Sequence, residues 1–232
     1  VSEQLPDVIT TLTIDEAIPV VAGGCAIVLG GDPPAGCLAT LVGQTALETG
    51  NYRHMHCWNP GNRKQREGDE YFCAFSCDEI FDPKTAQRAR ALGPCALVAR
   101  PDGKVRVVLG AEHPWARFAA FKTAARGMAD YVQLLACMDR YRPAWSRAYA
   151  GDPEAFVRAL GRAGYFTANV DTYARAVVSI AARVLPACGL YLGTRSEGLT
   201  DEDRRHVAEL VQLTLADSAL GRYEHAPERM AA

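Results

Sequence analysis

The sequence predicts an α+β fold, mainly α. Apolar residues recur at helical spacing along most of the chain, and capping and breaking residues bound those runs. The one clear β signal is a hairpin: residues 96–100 and 104–109 are β-rich and are joined by Pro101-Asp102-Gly103. The 232 residues can bury a substantial core, and a net charge of -2 gives no basic field, so nucleic acid is not an expected partner. The longest apolar run, 18–30, is too short to cross a bilayer and is interrupted by Gly23 and Gly24, so no membrane insertion is expected. No secretory signal pattern opens the chain, so synthesis in the cytoplasm is expected.

Thr13 is placed to cap a first helix with Asp15 and Glu16 in its first turn, and the run from Gly30 to Pro34 stops it. A second helix spans about 35–48. Leu38, Leu41, Val42 and Thr45 form its buried stripe, and Glu48 continues that face at the helix end. Partial burial and the negative end of the helix dipole both disfavour the anion, so the Glu48 pKa is expected to be raised, as a general acid requires. A solvated glutamate at a frayed helix end is the plainer alternative. Gly50, Asn51, His54, His56, Trp58 and the turn Asn59-Pro60-Gly61-Asn62 follow directly.

Residues 63–70 read as an exposed polar loop and 71–75 as a strand. Asp69, Glu70, Asp78 and Glu79 are candidate second carboxylates, with Glu79 favoured by its apolar neighbours. A short helix over 83–92 precedes the hairpin, and 115–121 is expected to continue the β region. Helices follow over 123–138, 140–149, 152–161 and 171–185, the last with Tyr173 opening a buried stripe of Val177, Ile180 and Val184. A turn-rich connector is expected over 186–198, then a helix from Thr200 with a one-sided apolar stripe and a loose tail over 223–232.

The eight cysteines lie mostly among Ala, Leu and Val, which suits free buried thiols better than a disulfide framework. His54, His56, Cys57, Cys73 and Cys77 include a Cys-x3-Cys spacing, but no second close cysteine pair faces it, so no metal is expected. A cysteine peptidase using Cys57 or Cys77 needs a histidine or a helix N-terminus to form the thiolate, and the local pattern supplies neither clearly.

Taken in order, ALETG at 46–50, WNPGNRK at 58–64, CDEIF at 77–81, RFAAFKTAARGMADYVQLL at 117–135 and the segment 151–180 resemble the glucosaminidase-type peptidoglycan hydrolases, glycoside hydrolase family 73. The family includes flagellar wall-cutting domains and phage lysis domains. The resemblance implies a lysozyme-like helical fold with a small β lobe beside the cleft, catalytic over 1–185, with a helical extension over 186–222. It implies Glu48 as general acid, Glu79 as the second carboxylate, and Tyr165 and Tyr173 near the sugar. Trp58, Asn59, Gly61, Asn62 and Thr167 are implied to contact substrate or shape the cleft floor. The expected partner is the peptidoglycan glycan strand, reached at the cell wall or periplasm, and no cofactor is implied.

One departure stands out: Asn169 occupies a position where the family commonly has aspartate. Asparagine can cap the following helix equally well, and that reading is favoured. Cleavage of the β-1,4 bond would proceed by protonation from Glu48. On the other face, either Glu79 activates water or the substrate's own N-acetyl group attacks. A muramidase with the same cleft and a catalytically silent wall-binding domain are the alternatives.

Overall fold

A computed structural model describes residues 2–166 and 168–194. Strands β1 (Glu3–Gln4) and β2 (Ile9–Thr10) precede helices α1 (Ile14–Leu29) and α2 (Ala35–Glu48). Next come β3 (Met55–His56), β4 (Tyr71–Ala74), β5 (Cys77–Phe81), α3 (Pro83–Leu92), β6 (Cys95–Ala99) and β7 (Val105–Leu109). A 3-10 turn at Pro114–Ala116 leads into β8 (Arg117–Ala119). Helices α4 (Ala124–Cys137), α5 (Arg142–Tyr149), α6 (Pro153–Arg162) and α7 (Val170–Thr194) complete the fold, which is α+β and mainly α.

Local sequence accounts for most helix boundaries. Thr13 and Glu16 form a reciprocal capping box at the start of α1, and Gly30 ends that helix in the left-handed region at φ 74°. Asp82, Thr123 and Asp152 accept from backbone N–H groups at the starts of α3, α4 and α6. α2 differs from the others because every residue from Cys37 to Ala46 is buried. A helix apolar all round belongs inside the core; α2 packs most extensively against α7, while α1 lies on α4. Glu48 therefore leaves the main core at the end of its most enclosed helix.

The strands form three small sheets. β1 pairs in parallel with β4, which pairs antiparallel with β8, and β2 pairs with β3. The expected hairpin is β6–β7, and β5 adds a third strand to it in the order β5-β7-β6. This lobe has its own small core of Phe81, Ala86, Ala89, Val107, Leu109 and Ala116. The stretch 115–121 does not extend the lobe as expected, because β8 pairs with β4 instead.

α7 also departs from expectation. It runs through Pro186 to Thr194, where a turn-rich connector was expected. Proline removes one helical hydrogen bond, yet Ala181, Val184 and Cys188 stay buried on either side, so tertiary packing carries the helix across. By length and composition Val170–Gly193 could cross a membrane, with mean hydropathy 1.6. Its inner face here is part of the main core, through Tyr173, Ala174, Val177, Ala181 and Val184. The helix expected from Thr200 and the tail at 223–232 lie outside the described residues.

Candidate active site

Glu48 closes α2, and the backbone turns sharply after it. Gly50, Asn51 and Tyr52 have φ of 58°, 57° and 59°, and Cys57, Trp58 and Asn62 are also positive. Non-glycine residues rarely occupy this region, and such runs cluster where a fold over-determines a functional loop. Tyr52 shows how the loop is held: it is buried, bonds Thr45 Oγ1 at 2.7 Å and donates to the Val42 carbonyl at 3.2 Å.

The Glu48 carboxylate accepts a hydrogen bond from the Tyr173 hydroxyl, which α7 brings across 125 positions of sequence. Tyr173 is itself bonded by Gln44, whose Nε2 donates to the phenol oxygen at 3.1 Å. Gln44 Oε1 accepts from the Tyr131 hydroxyl. These bonds fix the direction of each proton. Tyr131 donates to Gln44, Gln44 donates to Tyr173, and Tyr173 is left to donate to Glu48. Burial raises the Glu48 pKa, and the Tyr173 and Gln44 hydrogen bonds pull partly against it. Burial also raises Tyr131 and Tyr173, so both remain protonated donors.

Tyr165 lies beside this chain. Its hydroxyl is buried and makes no well-formed hydrogen bond among the described residues. Gly61 fits against it: a Cβ there would stand 3.3 Å from the Tyr131 ring and 3.5 Å from Tyr165 Oη. Phe166 stacks on Tyr173 with ring centroids 4.0 Å apart. Asn169 accepts from Thr172 N at 3.0 Å, which is the capping role expected for it. Thr167 lies outside the described residues.

The segment 58–69 supports the site more than it lines it. Asn59, expected at the substrate, is 2% exposed. Its Nδ2 donates to the carbonyls of Arg63 and Ala119, and its Oδ1 accepts from Arg63 N, so the amide ties the turn to β8. Trp58 and Asn62 are part-exposed at positive φ. The Trp58 carbonyl presses against α4 so closely that a Cβ on Gly127 would sit 1.7 Å from its oxygen. Arg63 is not in an exposed loop but 5% exposed, with salt bridges to Asp69 and Asp130. Burial works against its charge, but Asp130 and Asp69 more than compensate and raise its pKa.

Glu79 lies on β5, about a third exposed, with an ion pair to Lys64 Nζ at 3.0 Å. Lys64 also donates to the Trp115 carbonyl and rests over the Phe118 ring. The other candidate carboxylates are engaged elsewhere: Asp69 by Arg63, Asp78 by Arg106, and Glu70 by the Tyr71 hydroxyl. A surface hollow of about 610 Å³ between Ser2 and residues 65–70 includes neither Glu48 nor Glu79.

Sequence reading missed Gln44, Tyr131 and Arg63. Gln44 was within reach of it, standing one helical turn before Glu48 on the same face of α2. Tyr131 lies one turn from Met128 and Leu135, but its partner is 87 positions away and carries no local signal.

A mainly helical α+β domain with a tyrosine-held, hard-to-ionise carboxylate at a helix end suits acid–base chemistry on a neutral substrate. Among curated proteins, the chain is similar to peptidoglycan hydrolase FlgJ of Pseudomonas aeruginosa, at 33% identity over 141 residues. That match covers 61% of this chain and 30% of the relative, so the chain spans under a third of that protein's length. No family model matches the chain, and no solved structure matches it.

Proposed function

We propose that this protein is a peptidoglycan hydrolase of the glucosaminidase type, cutting a β-1,4 bond of the glycan strand with Glu48 as general acid. The observation that carries this reading is the Tyr173–Glu48 hydrogen bond. It joins two segments that resemble glycoside hydrolase family 73, ALETG at 46–50 and the stretch 151–180, which reaches into the first turns of α7. Burial favours the protonated carboxyl, which can then donate to the leaving oxygen as the sugar gains oxocarbenium character. The similarity to a peptidoglycan hydrolase supports the substrate class.

Two routes serve the opposite face. Glu79 can activate water once its bond to Lys64 opens, giving inversion. Alternatively, the N-acetyl group of the substrate attacks, giving retention. Tyr165, whose buried hydroxyl lies near Glu48, is assigned to the sugar. The anomer formed first, read by NMR, separates the routes: inversion lost in Glu79→Gln supports the water route, and retention with Glu79→Gln active supports the N-acetyl route.

Digestion of purified peptidoglycan followed by mass spectrometry tests the whole reading. Reducing-end N-acetylglucosamine is expected, and Glu48→Gln is expected to lose about 100-fold or more of the rate. Reducing-end N-acetylmuramic acid would move the specificity to a muramidase. Undiminished cleavage by Glu48→Gln would remove the general acid from the mechanism.

A further inference from the structure

On another side of the 55–58 segment lies a cluster that the proposed hydrolysis does not use. β1 runs parallel to β4 and β2 pairs with β3, so the N-terminal strap is drawn across both. Asp7, Cys57 and Cys73 meet beneath it. One carboxylate oxygen and two Sγ atoms lie within 4.8 Å of one another. Both cysteines are buried, at 5% and 0% exposure, packed with Phe118, Ala120 and Leu5. Asp7 is exposed and closes the cluster from the solvent side.

The surroundings of the carboxylate are also organised. His56 Nδ1 lies 2.6 Å from Asp7 Oδ1, and the His56 ring stacks on Phe75 at 3.7 Å. One Asp7 oxygen is thus held from outside the cluster, as outer partners orient the carboxylate ligands of metals. Cys57 Sγ donates to the Pro6 carbonyl at 3.3 Å. The Cys73 thiol is raised by burial, with Cys57 and Asp7 adding to the effect. A carboxylate beside two buried thiols is an electrostatic arrangement that a dication reverses, since it stabilises thiolates outright.

We propose that Asp7, Cys57 and Cys73 bind one divalent metal ion of the zinc type, with a water molecule in the fourth position. Two thiolates and a carboxylate suit a borderline-soft cation far better than calcium or magnesium, which take oxygen ligands. Binding converts two thiols to metal-bound thiolates and releases their protons to solvent. The ion fastens the N-terminal strap to β3 and β4, next to the left-handed loop that follows Glu48. Of His54, His56, Cys57, Cys73 and Cys77, the fold gathers Cys57 and Cys73, adds Asp7 from fifty positions before Cys57, and places Cys77 beside Lys64.

Titration of the reduced 232-residue chain with zinc against a chromophoric chelator is expected to show one tight equivalent. Cobalt(II) in its place should give thiolate-to-metal charge-transfer bands and tetrahedral d–d bands. These bands should vanish in Cys57→Ala and Cys73→Ala and persist in Cys77→Ala. Asp7→Asn, at an exposed position, should keep the fold and weaken zinc about tenfold or more. It decides the matter if the cysteine variants fail to fold. Three results would each overturn the site: no stoichiometric uptake by the reduced chain, uptake without thiolate bands, or zinc affinity unchanged in Asp7→Asn. None of these readouts depends on the chain cutting peptidoglycan.

Discussion

At the scale of single residues, Glu48 carries opposite consequences for stability and for chemistry. Burial raises its folded pKa above the unfolded value. Below about pH 4.3 the carboxyl is neutral in both states and costs nothing. As pH rises past that value the unfolded chain ionises freely while the folded one resists, so stability falls until the folded pKa is passed. Glu48→Gln should therefore unfold at a higher temperature than the native protein near neutrality, with the gain vanishing at acid pH. Calorimetry across pH checks this, and an unchanged difference at all pH values would count against a raised carboxyl. Tyr173→Phe acts in the other direction on catalysis. Tyr173 favours the anion, so its removal should move the basic limb of the pH–rate profile to higher pH. The variant also leaves Gln44 Nε2 short of an acceptor, at a cost of about 1–3 kcal/mol.

At the scale of elements, the 59–63 turn is the part that local reasoning served least well. The family resemblance implies that Asn59 contacts substrate or shapes the cleft floor, and in the fold its amide is bonded to backbone groups of Arg63 and Ala119. Arg63 looked solvated because its neighbours are polar, and only folding shows Asp130 of α4 waiting for it. Arg63→Met would strand two carboxylates around one apolar side chain, and a loss of roughly 3–5 kcal/mol is expected from urea unfolding. A loss under about 1 kcal/mol would show the ion pairs to be incidental. By contrast the ends of α2 and the start of α7 were legible, since apolar spacing and caps are local properties. They set Glu48 and Tyr173 at element termini, though not their contact. α7 was misjudged beyond Leu185 because its packing overrides the local preference of Pro186.

At the scale of the molecule, the class and most elements follow from periodicity, while the way three sheets share eight strands among the described residues does not. The strand at 117–119 pairs with β4, and its Phe118 packs with Cys57 and Cys73. The proposed Glu48–Tyr173 site is the product of the tight contact between α2 and α7. Gly43 in α2 comes so near α7 that a Cβ there would lie 3.0 Å from the Val177 carbonyl.

The β5-β7-β6 lobe, with a separate core half made of alanines, also governs how the protein breathes. Small cores store little free energy against opening, and such units exchange their amide hydrogens before the rest of the molecule does. Amides of β6 and β7 should lose protection well ahead of those in α2 when hydrogen exchange is followed by mass spectrometry. Equal protection in the two would show the lobe and the helical body to open as one. If the lobe opens first, Glu79 travels with it while Glu48 stays fixed. The separation of the two carboxylates is then a fluctuating quantity, and a bound glycan would narrow its range.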